Sequence, residues 1–459
     1  MILPDKKADT YTRYISEFKG LNRLPVGSEG ELLETKNMVF DKYPVMSVRG
    51  GRTLFATTST GHTPQALIFV NNDYYMILDN RFYKNGVKVF TDEQSNWFSG
   101  GIKSVVEFWG KIFIFPDRKV YDIAEGTLTD IGEGEYPAAG SCPKMDYVCV
   151  HNNRIWGVRG NYIYASSSGY AMGAAGSDGR YGWTQFYDAA GNPDDSGSFF
   201  QEVASDGDFT GIMSWDDRII ALKERCHHEI NGSYPSTFAL STISKLGTVS
   251  HHSMAEVNGR AFYASQSGVY IYAGGYEKEI GRKLNENIKK AVAGSDGNRY
   301  YLRLSNGTEN KLYVYHTAVE MWTEEDLTNV AFFTYQNGSL YACCTDGKIW
   351  IMNDPASTET VEWRFKFTDY ADSVYYNTEL KRLIFKWKST KGNTIKVKIS
   401  TDGKTFRTLT DFRFVGEEMQ TVKCNVNRGR EHVIVVEGKG DIDVYGYQLT
   451  VMKGGQNIV

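Results

Sequence analysis

Three groups of residues in this 459-residue chain have types and spacings that could do chemistry. Arg49-Gly50-Gly51-Arg52 sets two guanidinium groups around a Gly pair and could cradle a phosphate. Cys226-His227-His228 and His251-His252 carry metal-ligand side chains. The Asp-Gly loop from Ser205 to Gly211 offers carboxylates for calcium.

Each of these chemistries lacks a requirement. A phosphate-binding P-loop needs Lys-Ser/Thr and a following helix, whereas Arg52 runs straight into strand-like "TLFATT". Neighbouring residues on a strand point to opposite faces, so each His pair offers one ligand per face. The Asp-Gly loop lacks the ligand spacing of a calcium loop. No G-x-S-x-G elbow and no HExxH helix occurs. "CTDGKIW" (344–350) and "STDGKTF" (400–406) resemble the Asp-box turn of sialidase-type propellers, a structural turn in which Asp accepts backbone N–H groups. No arginine cluster with a tyrosine nucleophile accompanies them. The expectation is therefore a protein that is not an enzyme, with no catalytic residue, no cofactor and no metal site.

Composition narrows the class. Hydrophobic residues make up 41% and the net charge is -4, which fits a globular chain and argues against nucleic-acid binding by bulk charge, though not against a local basic rim. No apolar run is long enough for a membrane span, and the charged start "MILPDKKADTYTRY" lacks the apolar core of a secretory signal. The six cysteines form no CxxC pair and are expected as reduced core thiols. Thirty Tyr, 24 Phe and 46 Gly against only 10 Pro describe a β-rich chain with many tight turns. The best helical pattern is 281–292, "GRKLNENIKKAV", with Leu284, Ile288 and Val292 on one face. It is expected as a short helix whose basic face touches solvent, DNA or a partner.

The strands repeat. Apolar strands separated by Asn, Asp or Gly turns recur from Ala66 to Met352, with first turns at Asn72, Gly110, Asn153, Asp217 and Gly259. Asn258-Gly259 is a strong hairpin signal. A period of about 40 residues with three or four short strands per unit marks a β-propeller. The polar stretch "NDPASTETVEW" (353–363) then leads into longer strands with clear alternation. The chain is thus predicted to be all-β: an extended N-terminal arm (1–52), a divergent six- or seven-bladed propeller (53–352) and a C-terminal β-sandwich of jelly-roll type (353–459). Few short helices are expected. A long Gly/Asp/Ser insertion at 169–200 is expected either as a docking or channel-facing loop or as a mobile surface loop.

Here a family resemblance enters. "NMVFDKYPVMSVRGGR" (37–52) resembles a phrase that precedes a propeller in tailed-bacteriophage virion proteins, matching at Asn37, Tyr43, Pro44, Arg49 and Gly51. Gly50 stands where that phrase usually has Pro. "GIMSWDDRIIALKERCHHEI" (211–230), "KLGTVSHHSMAEVNGRAFYASQSGVYIYAGG" (245–275), "IGRKLNENIKK" (280–290) and "ISTDGKTF" (399–406) resemble further segments of the same family in the same order. The chain looks like the packaged-DNA stabilisation, or tail hub/nozzle, proteins of short-tailed phages. The resemblance implies a virion protein made in the bacterial host cytoplasm and assembled in a closed ring, commonly six-fold. Its implied partners are portal, adaptor or other tail proteins, tail fibres, and passing genomic DNA bound without sequence specificity. A receptor- or glycan-binding propeller at the tail tip is the alternative. In this frame Tyr43-Pro44 is an extended approach and Gly50-Gly51 a sharp turn. Arg49 and Arg52 pin that turn to carbonyls or carboxylates of the first blade or a neighbouring subunit. Tyr43, Pro44, Arg49, Gly51 and Arg52 are the assembly candidates.

Overall fold

The computed structural model describes residues 10–58, 62–90, 97–131, 142–168, 186, 197–369, 376–424, 426, 428–429 and 431–456. The predicted insertion at 169–200 lies outside them except for Phe186 and residues 197–200. The chain is all-β, and the helical elements among the described residues are 3₁₀ turns at Pro235–Thr237, His251–Ser253 and Arg282–Leu284.

Six four-stranded antiparallel sheets stand alone as propeller blades: residues 64–88, 104–130, 147–202, 209–244, 255–279, and 330–352 completed by Thr53–Thr57. A further four-stranded meander, 290–325, sits in the ring between the blades at 255–279 and 330–352. Its outer strand continues into a large sheet described below. Numbered in chain order, the blades run from blade 1 (64–88) to blade 7 (330–352 with 53–57), and the meander is blade 6.

The reason these sequences make blades is visible in blade 1. Tyr74, Met76 and Leu78 of the strand Asp73–Leu78 pack against blade 7, while Tyr75 and Ile77 pack against blade 2. Alternation here does not separate core from solvent, because both faces of the strand are covered. One apolar wedge fills each gap between successive blades, for example Tyr301, Leu312 and Val314 against Val330, Leu340 and Ala342. The turns hold the left-handed conformation that Asn tolerates: Asn71, Asn152, Asn153 and Asn258 have φ of 55°, 46°, 59° and 51°. Thr53–Thr57 closes the circle by pairing with Lys348–Met352, so an N-terminal strand completes the last blade.

The segment 281–292 corrects the helix expectation. Only Arg282–Leu284 turns, as a single 3₁₀ turn; Asn285 then takes φ 51° and ends it, and Lys290–Ser295 is the inner strand of blade 6. Leu284, Ile288 and Val292 are nonetheless buried, which is why the apolar spacing imitated a helix.

The remaining strands form a thirteen-stranded sheet with blade 6. The long strand Tyr376–Ser400 runs beside the edge strand Arg407–Lys423 along most of its length. Its first part pairs with Asp443–Gln456 and its second with Val433–Gly440. The sheet therefore folds on itself as a sandwich, and its halves share a core: Phe367 of one half lies 4.2 Å, ring to ring, from Tyr447 of the other. Most of the arm belongs to this unit, while Leu21 packs in the wedge between blades 5 and 6 and Arg23 pairs with Glu286 and Glu324. Thr10–Ile15 pairs with 447–452, and Val45–Val48 pairs with 443–444. Glu34–Lys36 pairs with Glu362–Thr368. Phe18, Leu32, Met38, Phe40 and Met46 are buried in the shared core.

Candidate functional site

Three of the predicted assembly residues, Arg49, Gly51 and Arg52, gather at the junction of the two units. Glu34–Lys36 lies between the last strand of blade 6, Met321–Glu325, and the strand Glu362–Thr368 of the sandwich. One sheet thus passes from the propeller into the C-terminal unit through three residues of the arm. Asn37 follows with φ 58°, donates its backbone N–H to Glu324 O at 2.7 Å, and donates Nδ2 to Glu362 O at 2.7 Å. Its Oδ1 accepts from Asp326 N at 3.1 Å and Arg49 Nε at 3.2 Å. The short side-chain amide and a tolerance of positive φ make Asn the residue for this corner.

Arg49 and Arg52 are almost wholly buried, with side chains 0% and 6% exposed. Arg49 donates both terminal nitrogens to Glu359, at 2.9 and 3.0 Å, in a bidentate fork. Arg52 donates to Asp326 Oδ1 at 2.7 Å and to Glu325 Oε2, while its backbone N–H donates to Glu359 Oε2 at 2.6 Å. Five charges are therefore packed together, three of them carboxylates. Burial opposes the charge of Arg52, but Glu325 and Asp326 outweigh it and hold its proton more firmly than usual. Burial likewise opposes the Asp326 carboxylate, and Arg52 and Arg49 overcome that, leaving its pKa at about 2. Glu359 is lowered in the same way, its burial offset by Arg49 and the Arg52 N–H.

The expected anchoring is corrected in its partners. The arginines hold the end of blade 6 and the connector 353–361 of the same chain, rather than blade 1 or a second subunit. Gly50 and Gly51 are also needed for a different reason than expected, since neither has positive φ. A Cβ on Gly51 would sit 2.5 Å from Ser357 Oγ, and one on Gly50 would sit 3.1 Å from Asn353 Cα. Close approach of the connector demands the glycines. Tyr43 and Pro44, expected as an extended approach, instead form the turn between the paired strands Met38–Lys42 and Val45–Val48, with a cis Tyr43–Pro44 bond. Tyr43 donates its hydroxyl to Glu17. Glu325, Asp326 and Glu359 were not singled out in the sequence; the acidic runs "TEEDL" and "STETVEW" are the signal that could have found them.

The other candidate groups are engaged in the fold. His227 is paired with Glu277 at 3.0 Å, and His228 lies between Ser205 Oγ and Thr242 Oγ1 at 2.8 and 3.1 Å. His251 stacks on Tyr147 and His252 packs on Phe332 around a cavity of about 170 Å³. Burial pushes His251 down to about 3 and His252 to about 4, so both are neutral near pH 7. No three His, Cys, Asp or Glu side chains converge on a metal position among the described residues. All six cysteines are free thiols, and burial raises Cys343, Cys344 and Cys424 to about 12. Asp402 accepts from the N–H of Lys404 and Thr405 at 2.8 and 2.7 Å, as a structural Asp turn does. No helix among the described residues is long and apolar enough to cross a membrane.

An open groove of about 520 Å³ runs over the outer face of the sandwich half that adjoins the propeller. Four cross-strand ion pairs interleave the signs there: Arg364–Glu34 at 3.4 Å, Lys396–Asp411 at 3.2 Å, Lys398–Glu437 at 2.5 Å and Lys439–Glu362 at 3.3 Å.

No known family profile and no curated protein matches the chain. Solved structures do resemble it. A computationally designed protein, Ika8, aligns over 74% of this chain and 98% of its own, at 10% identity and a TM-score of 0.42. A catalytically inactive virginiamycin B lyase from Staphylococcus aureus aligns over 66% and 98%, at 10% identity and 0.45. BamB from Moraxella catarrhalis aligns over 76% and 99%, at 11% identity and 0.40. Scores this low carry no argument about what the chain does.

Proposed function

We propose that this protein is a structural subunit of a bacteriophage tail, of the hub or nozzle type. It closes into a ring with copies of itself, six-fold by the resemblance, and docks portal, adaptor or fibre proteins around the route of the genome. The observation that supports this reading is the junction. The arm, blade 6, the connector and the sandwich are joined by a continuous sheet and by two buried arginines. The two arginines of the Gly-Gly turn are engaged in tying the two β units of one chain together. A chain joined in this way, with many exposed turns, suits a closed assembly in which modest interfaces repeat around an axis.

The test is assembly. The purified chain is measured by native mass and imaged by electron microscopy, alone and with the portal and tail proteins of its phage. A ring or a defined co-assembly is expected. A strictly monomeric chain that binds no virion component would sink the reading, and strong saccharide binding on a glycan array would move it to a receptor-binding tip.

A further inference from the structure

We infer that the outer face of the second sandwich half is a docking surface for the phosphate backbone of a nucleic acid, bound without regard to sequence. In the strand Tyr376–Ser400, Leu383, Phe385 and Trp387 point into the core, and Arg382, Lys386 and Lys388 point out. Lys423 stands opposite Arg382 on the edge strand. These four cations have no ion-pair partner among the described residues. The neighbouring carboxylates are already engaged: Glu379 by Lys381 and Arg428, Asp443 by Lys42. Glu417 and Asp443 stand opposite Lys388 on its two neighbouring strands, at one end of the patch.

This face differs from the groove on the other half in that four ion pairs interleave the signs there, although Lys36, Lys366 and Arg413 also have no ion-pair partner among the described residues. The charge of the whole chain is also divided. Residues 353–459 hold 17 Lys and Arg against 14 Asp and Glu, whereas residues 1–352 hold 34 against 41. A net charge of -4 therefore conceals a positive C-terminal unit.

Arg382 and Lys388 are about 20 Å apart along the strand, six residues at the extended rise. Four cations over that length on a flat face complement a polyanion. Aromatic rings lie among them: Lys386 Nζ is 5.6 Å from the centre of the Tyr445 ring, and Tyr14 is 62% exposed on the same face. Thr and Gln occupy much of the rest, which suits a phosphate backbone better than a bilayer. The inference adds a surface to the proposed function but does not depend on ring closure, because one chain carries the whole face.

The experiment measures binding of the full chain to a fluorescent 30-base-pair DNA between 50 and 200 mM salt, beside phosphatidylglycerol vesicles. Neutralising four phosphates predicts a slope of log K on log salt of about -3.6, a loss of roughly 150-fold over that range. Each of Arg382→Gln, Lys386→Gln, Lys388→Gln and Lys423→Gln should lower the slope by about 1. The combined Lys396→Gln/Lys398→Gln/Lys439→Gln variant on the other face should leave it unchanged. Absence of DNA binding at 50 mM salt, a slope untouched by the four substitutions, equal loss from the control variant, or binding to vesicles alone would each overturn the inference. Assembly state is read separately by native mass, so a failure of the ring proposal is distinguishable.

Discussion

In the propeller, nearly every strand pairs with the strand before it in sequence, across a turn of two or a few residues. In the C-terminal unit, strands from residues 10–48 are inserted among strands from residues 362–456. Both regions bury aromatic side chains at high density, so the difference is not in what is buried but in how far the chain travels to bury it. Local pairing makes the propeller a series of near-independent units closed by one strand. Distant pairing makes the sandwich depend on the arm, and the arginine turn is where the two rules meet.

The strongest way to break this comparison is to remove residues 1–48. The sandwich core would lose Ile15, Phe18, Leu32, Met38, Phe40 and Met46, while Thr53–Thr57 would still close blade 7. Six large side chains at 1.5–3 kcal/mol each amount to about 10 kcal/mol or more, the whole stability of an ordinary domain. Chemical denaturation should show the C-terminal transition gone and a propeller transition retained; loss of both together would show that the propeller also needs the arm.

Arg52→Ala comes next. It leaves the buried Glu325 with only the longer contact to Arg49 Nε, at 3.9 Å, and should cost about 3–5 kcal/mol, read from the urea midpoint. Adding Glu325→Gln should recover part of the loss, because the poorly compensated charge is then removed. Gly51→Ala tests close packing, with an expected cost of about 1–3 kcal/mol from overpacking against Ser357.

Acid sharpens the same point. The Asp326 carboxyl sits at about 2 in the folded chain, below its ordinary 3.8. Its contribution is therefore fully present above about pH 4 and is lost as pH falls through about 2. Urea midpoints between pH 5 and 2 should fall less steeply for Asp326→Asn than for the native chain. Smallest of all, Lys439→Ala removes an exposed ion pair with Glu362 and should change stability by about 0–1 kcal/mol. A larger loss would mean that the interleaved face is a structural network.

The propeller hairpins were legible because their turns are chemical signals. Asn72, Gly110, Asn153, Asp217 and Gly259 each lie in the first turn of a blade. The candidate site was half legible. Arg49 and Arg52 stood out by type and spacing, and their role as an anchor was foreseeable from two guanidiniums beside a Gly pair. Their partners were not, since Glu359 lies 310 residues from Arg49 and Asp326 lies 274 from Arg52. The segment 281–292 misled for the opposite reason: its apolar spacing fits a helix, and only neighbouring blades decide that an extended segment buries the same residues.

What the sequence by itself determined is therefore local: an all-β chain, the positions of its hairpins, and a repeat long enough for a blade. Turn chemistry and strand alternation act over a few residues, so they survive being read without a fold. The tertiary structure alone decided that most of the arm belongs to the sandwich, that blade 6 shares its sheet, and that two arginines are enclosed by three carboxylates of their own chain. Those outcomes depend on which distant edges and charges meet once the core has formed, and no short stretch of sequence contains that choice.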